Sequence, residues 1–313
     1  MEKFCILLTD GLEQPGKDIL AAENELSDMK GISAEDLLKE LPKVDAVIIR
    51  GRTKMTRTAI ASSQRLKVIG RCGVGVDNID LDAARDQGIT VVNAPVATST
   101  SVAELTMGLI FSLAREIPKA SAGMKNGEWL KKSLVGMELK GKTLGIIGYG
   151  RIGAIVGKLA SSTGMQINAY DPYLTQQSTF VDGGDITPYE QVLKESDFIT
   201  IHTPLNGGTK NLIDREAIRM MKDGVRIVCA ARGGIIDEEA LLEGLNSGKI
   251  AGVALDVFET EPPVNSDLIK HPNLIATPHI GGQTADAQLQ ASQDIATEVL
   301  AALNGKELRW KVA

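Results

Sequence analysis

Short apolar runs, rich in β-branched residues, recur along the chain and are separated by longer stretches with helical spacing of apolar positions. One set reads FCILLTD (4–10), DAVIIR (45–50), KVIGRCG (67–73) and TVVNAP (90–95). A second set reads TLGIIGYG (143–150), INAYD (167–171), FITIHTP (198–204), RIVCAAR (226–232), GVALDVF (252–258) and LIATPH (274–279). Runs that are apolar almost throughout suit strands covered on both faces, which means parallel sheets flanked by helices. Two such sets predict an α/β chain with two doubly wound, Rossmann-like domains.

Between the sets, TSTSVAELTMGLIFSLAREIP predicts a largely buried helix opened by a capping box at Ser101 and Glu104 and stopped at Pro118. A polar arm, residues 119–142, follows without a core of its own. The last segment predicts an amphipathic helix ended by Asn304 and Gly305, the glycine supplying a left-handed cap. If that helix returns to the first domain, the domain is discontinuous. The expected division is 1–97 with 286–313 for one domain and 98–285 for the other.

Composition narrows the class. The chain has 313 residues, 43% hydrophobic and 24% charged, and its formal net charge is -6. That length favours two domains over one. No run of Lys or Arg exceeds two residues, so the electrostatic footprint of a nucleic-acid or membrane-surface binder is missing. Cys5, Cys72 and Cys229 are odd in number and lack metal-like spacing, which predicts reduced thiols, no metal site and a cytoplasmic protein. The N-terminus carries too short an apolar stretch for a signal peptide.

Gly148-x-Gly150-x-x-Gly153 follows a strand and opens a helix, with Arg151 and Ile152 as the first helical residues. The first glycine permits the turn, the second lets a pyrophosphate approach the backbone, and the third lets helix and strand pack closely. Phosphate charge then meets free N–H groups at the helix start. The next strand ends in Asp171, 171 − 153 = 18 residues on. A carboxylate there accepts from ribose hydroxyls and repels a 2′-phosphate, so the expected cofactor is NAD rather than NADP.

Ligands of doubly wound sheets sit beyond the carboxyl ends of the strands. Arg232, Asp256 with Glu261, and His279 lie at the ends of three separate runs there. An arginine fork clamps a carboxylate and polarises a keto oxygen. An imidazole exchanges a hydroxyl proton near neutral pH, and a carboxylate beside it favours its protonated form. Hydride transfer between NAD and a 2-hydroxy acid fits this set. Asp256 has two readings, a satisfied buried acid or a partner of the nicotinamide amide. His202, Thr203 and Pro204 close a strand beside the glycine loop and read as a cofactor wall, with Ala230, Gly281 and Gly282 as further close-approach positions.

In their order and spacing, GYGRIG with Asp171, HTP, ARGGIIDEEAL, GVALDVFETEPP and TPHIGG resemble the D-isomer-specific 2-hydroxyacid dehydrogenases over almost the whole chain. The resemblance implies a homodimer, a discontinuous substrate domain, and Arg232, Glu261 and His279 as the catalytic trio. Within the family the chain is most similar to the branch that oxidises 3-phosphoglycerate. It ends soon after its last helix, so the C-terminal regulatory domain of longer members is expected to be absent.

A phosphorylated substrate predicts further cations: Arg50 and Arg71 at strand ends of the first set, and Lys131 and Lys132 on the arm, which in the resembled enzymes reaches the partner's site. Backbone N–H groups of Val74 and Gly75 offer a nest for the carboxylate. Two departures stand out. Cys229 occupies the position, three before the arginine, where family members usually carry asparagine, and NAPVATSTS lacks the asparagine-glycine pair of some members. Glyoxylate or hydroxypyruvate reduction is the alternative activity. A non-catalytic NAD-sensing scaffold is a third reading, against which the complete trio argues.

Overall fold

The computed structural model describes residues 3–174, 184–263 and 267–313. The chain divides into two compact units, Met1–Thr98 with Gly282–Ala313, and Ser99–Gly281.

In the first unit the strands are β1 (Cys5–Leu8), β2 (Glu25–Asp28), β3 (Ala46–Ile49), β4 (Val68–Arg71) and β5 (Thr90–Asn93). They pair in parallel in the order β2-β1-β3-β4-β5. Alternate residues feed two separate cores, as the two-residue period of a strand requires. Leu7, Val47, Ile49, Ile69 and Val91 enter one core. Ile6, Leu8, Ile48, Val68 and Val92 enter the other, against Ala291, Ile295 and Val299 of the helix Ala285–Leu303. That last helix therefore belongs to the first unit, and the unit is discontinuous in sequence. Asn304 caps the helix and Gly305 follows at φ 63°, the left-handed stop expected.

Beyond the helix the chain returns to the sheet edge. Glu298, almost wholly buried, accepts from the Arg309 and Trp310 N–H groups and from Arg309 Nε. Residues 310–313 then pair antiparallel with β5, Val312 N–H donating to the Val91 carbonyl at 2.8 Å and Val91 N–H to the Ala313 carbonyl at 2.9 Å.

The second unit holds β6 (Thr143–Ile147), β7 (Gln166–Tyr170), β8 (Asp185–Ile186), β9 (Phe198–Ile201), β10 (Val225–Cys229), β11 (Ile250–Leu255) and β12 (Leu274–Ala276). The parallel order is β12-β11-β10-β9-β6-β7-β8. Its two faces again separate: Ile147, Ile199, Ile227 and Val253 pack on one side, and Leu144, Ile146, Val228 and Ala254 on the other. The latter face is covered by Met107, Ile110 and Leu113 of the helix Ser99–Arg115.

Two sequence expectations are corrected here. The helix begins at Ser99, which puts Ser101 inside its first turn rather than at a cap. Pro118 does not end helical structure: a second helix, Ile117–Lys125, follows Arg115 with only Glu116 between them, hinged there with φ 49°. Proline is at home in a first turn, where its missing N–H would have no partner anyway. The start of the arm is therefore helical.

Candidate active site

Sheet order reverses between β6 and β9, and the glycine loop stands at that switch point, where doubly wound sheets bind ligands. Gly148 has φ 91°, and a Cβ there would meet the His202 carbonyl at 2.8 Å, so the loop after β6 lies directly against the strand end after β9. Gly153 is equally confined, its Cβ falling 2.2 Å from the Gly148 carbonyl oxygen. Gly150 differs: it caps the helix Arg151–Ser162, and a Cβ there would meet nothing within 4 Å.

A tight turn, an open helix start and a carboxylate at the next strand end make a cradle for a dinucleotide. Asp171 Oδ2 accepts the Tyr149 N–H at 3.0 Å, and Oδ1 accepts Tyr173 N–H at 3.0 Å. Thr203 Oγ1 is buried with no hydrogen-bond partner. His202 binds Thr200 Oγ1 through Nε2 at 3.0 Å, while Nδ1 is buried and unpartnered. Desolvation pushes this imidazole down to about 3, so it is neutral at physiological pH. NAD fits the residues present. Pro204 is exposed and Ala230 buried at neighbouring strand ends.

The chemistry-bearing residues follow three adjacent parallel strands. Arg232 comes after β10, Asp256 and Glu261 after β11, and His279 after β12. The first two loops are pressed together, because a Cβ on Gly233 would fall 1.8 Å from the Phe258 carbonyl oxygen. Arg232 donates to the Ala231 carbonyl at 2.6 Å. His279 Nδ1 lies 2.8 Å from Glu261 Oε2, with both side chains reachable by solvent. Glu261 Oε1 in turn accepts the Phe258 N–H at 3.2 Å. With Nδ1 engaged, the imidazole presents Nε2 as its free proton-transfer atom.

Asp256 is fully buried. Its Oδ1 accepts from Thr277 Oγ1 at 2.6 Å and Ile280 N–H at 2.8 Å, and its Oδ2 accepts from Gly281 N–H at 2.8 Å. Of the two readings for this acid, the satisfied buried carboxylate describes its contacts. Between those anchors His279 has φ 54°, a left-handed conformation that costs a non-glycine residue about 1–2 kcal/mol. Three charge-assisted bonds are the right size to hold it. Cys229 is buried nearby, its thiol pushed up to about 11 by desolvation, and it is no nucleophile.

The anion-binding candidates of the first unit also gather at strand ends. Arg50 follows β3; its Nη1 is bound by Gln288, Nη2 lies 3.9 Å from Glu13, and Nε and Nη2 are buried without a hydrogen-bond partner. Arg71 ends β4 and donates to the Cys72 carbonyl at 2.7 Å, its guanidinium so close over Gly73 that a Cβ there would be 1.7 Å from Nη1. The Val74 and Gly75 N–H groups have no acceptor among the described residues. Gly282 packs on Thr98 and its carbonyl accepts from Gln288 Nε2 at 2.7 Å. Lys131 and Lys132 are exposed after Trp129, on the arm of the second unit.

Sequence reasoning passed over Asp10 and Gln288. Asp10, at the end of β1, accepts the Arg50 N–H at 2.7 Å and the Thr53 N–H at 3.1 Å, bracing the loop that carries Arg50. Its place at a strand end was a readable signal. Gln288 sits on a helix far along the chain, and nothing local marks it.

A family model described as D-isomer specific 2-hydroxyacid dehydrogenase, NAD binding domain, matches residues 107–281. The chain is 47% identical over 302 residues to the D-3-phosphoglycerate dehydrogenase of Methanocaldococcus jannaschii, covering 96% of this chain and 58% of that protein. It thus spans little more than half the length of that relative. It is 43% identical over 303 residues to the hydroxypyruvate reductase of Thermotoga maritima, covering 96% of this chain and 98% of that one. The D-lactate dehydrogenase of Aquifex aeolicus, solved with NAD and lactic acid, superposes with a TM-score of 0.85 at 29% identity over 96% of each chain.

Proposed function

The chain belongs to the D-isomer specific 2-hydroxyacid dehydrogenases, and from that premise we propose that it oxidises 3-phosphoglycerate to 3-phosphohydroxypyruvate with NAD, the entry step of serine synthesis. The observation that carries the reading is the His279–Glu261 pair one strand away from the Arg232 loop. Arg232 clamps the substrate carboxylate and reacting oxygen, and its charge stabilises the developing alkoxide. His279 takes the hydroxyl proton at Nε2, and Glu261 holds Nδ1–H and balances the imidazolium. NAD, when bound, supplies the acceptor for the hydride leaving C2. In reduction the same imidazolium returns the proton to the oxygen.

For the cofactor, Gly148, Gly150, Arg151, Ile152 and Gly153 form the pyrophosphate cradle of this reading, and Asp171 takes the ribose. His202, Thr203, Pro204, Ala230, Asp256, Gly281 and Gly282 are its flanking residues, Asp256 acting by holding the His279 turn. Val74 and Gly75 grip the carboxylate through backbone N–H. Arg50 supports the phosphate: two of its nitrogens are buried without hydrogen bonds, and a carboxylate only at 3.9 Å leaves its charge largely unspent. Arg71, Lys131 and Lys132 are the other cations of the reading, the lysines offered across a homodimer interface. Exposed Trp129 and Val135 on the arm support such an interface. A cytoplasmic location goes with the proposed reaction; among the described residues no helix is long and apolar enough to cross a membrane.

The second reading is hydroxypyruvate or glyoxylate reduction, favoured by the Thermotoga maritima relative that the chain covers almost completely. NAD reduction at alkaline pH with 3-phosphoglycerate, D-glycerate and D-lactate at matched concentrations separates the two. A clear preference for the phosphorylated acid is expected. Equal or better turnover of D-glycerate overturns the substrate and keeps the reaction.

A further inference from the structure

Asn93, the last residue of β5, is buried at 9% exposure, yet it is neither a core residue nor one of the charged groups discussed above. Its Nδ2 donates to the Val74 carbonyl at 2.7 Å. The next residue, Ala94, donates its N–H to the Gly73 carbonyl at 3.0 Å. Two successive carbonyls of the 73–75 loop are therefore turned toward β5. In a planar trans peptide the N–H points opposite to the carbonyl of the preceding residue. Fixing the Gly73 carbonyl thus aims the Val74 N–H away from β5, and fixing the Val74 carbonyl does the same for Gly75. Neither N–H finds an acceptor among the described residues, and the Arg71 guanidinium lies across Gly73 beside them.

We propose that Asn93 is a positioning residue for substrate binding: its carboxamide sets the Val74–Gly75 peptide so that two adjacent N–H groups receive the carboxylate of the 2-hydroxy acid. The inference rests on the dehydrogenase reading and deepens it. The backbone of Asn93 is held as well, its N–H donating to the Trp310 carbonyl at 3.3 Å, so the carboxamide projects from a strand anchored on its far side. Of the two clamps only Asn93 acts through a side chain, and only it is open to substitution.

A grip on the carboxylate that is equal in ground and transition states changes KM and leaves kcat alone. Asn93→Ala is expected to raise KM for the acid about tenfold, with kcat within about twofold, the size of one hydrogen bond to a charged site. The factor should be the same for 3-phosphoglycerate and D-glycerate, because both carry the carboxylate. Asn93→Asp keeps the shape but sets an oxygen against the Val74 carbonyl, so its KM should rise at least as much. Thr90→Ala, on the same strand and away from the loop, should leave both constants unchanged, and NADH affinity by fluorescence titration should match wild type throughout.

An unchanged KM in Asn93→Ala, a wild-type KM in Asn93→Asp, a rise confined to the phosphorylated acid, or a loss shared with Thr90→Ala would each overturn the role. Calorimetric titration of D-glycerate into the NADH complex separates this failure from failure of the dehydrogenase reading. If wild type turns over neither acid, the proposed function falls. The same titration still decides the inference: weaker binding in Asn93→Ala than in wild type supports it, and equal or no binding in both rejects it.

Discussion

His279 Nδ1 stands 2.8 Å from Glu261 Oε2, and the other oxygen of that carboxylate accepts the Phe258 N–H, so one glutamate fastens the imidazole after β12 to the chain leaving β11. The pair fixes which nitrogen of the histidine is left to exchange a proton.

Removing either member should separate chemistry from binding. His279→Ala is expected to lower kcat by about 10²- to 10⁴-fold, and Glu261→Gln by roughly a hundredfold, the scale of a general acid-base contribution. NADH titration should show cofactor affinity within about twofold of wild type in both, as neither residue belongs to the dinucleotide cradle. A kcat unaffected by Glu261→Gln would remove the glutamate from the mechanism.

Asp256 should matter to both stability and rate. An asparagine there must point an NH2 at one of three donors, so Asp256→Asn loses at least one charge-assisted bond and strands a buried N–H. Denaturant unfolding should report a loss on the order of 2–3 kcal/mol. Since the same bonds hold His279 at its left-handed φ, kcat should fall as well, even under conditions where the variant is fully folded.

The glycines of the cofactor loop should respond in opposite ways to alanine. At Gly153 the new Cβ would fall 2.2 Å from the Gly148 carbonyl, so Gly153→Ala is expected to destabilise the protein by about 1–3 kcal/mol. At Gly150 the new methyl meets open space, so melting temperature should hold while NAD affinity drops. Thermal melts with and without NAD distinguish the two outcomes.

His202 gives a pH dependence whose sign is fixed by burial. Its folded-state value is pushed down from 6.5 to about 3, so the unfolded chain binds the proton first as pH falls. Stability is therefore lost progressively below about pH 6.5, and this residue alone costs up to about 2 kcal/mol by pH 5. Urea unfolding at pH 7.5 and pH 5 should show a smaller difference for His202→Gln than for wild type. An identical difference would mean that the ring is hydrated in solution.

Apolar strand runs made the central strands of both sheets readable, because each is buried on two faces and carries little else. β2 escaped: ELSD is a short, mostly exposed edge strand, and its charges and brevity, which discourage pairing with other chains, also hide it from a hydrophobicity reading. That Arg232, Glu261 and His279 follow three neighbouring strands was legible, since each sits in a distinctive motif after an apolar run. What holds them was not. Asp256 could be read as a cofactor partner or a buried acid, and its bonds to the 277–281 turn depend on how β11 and β12 pair. Gln288 and Asn93 act through contacts with residues at other strand ends, which no local pattern encodes. Pro118 misled because proline breaks a helix interior but opens a first turn, and sequence alone does not say which applies.

The pairing of residues 310–313 with β5 has a consequence for solubility. Without it β5 would be an outer strand offering the Val91 and Asn93 N–H groups to any extended chain, a template for sheet growth between molecules. Glu298 would also be left as a buried carboxylate stripped of the three donors it now accepts from Arg309 and Trp310. Residues 310–313 thus work as a cover strip, and loss of their pairing would be felt first as self-association.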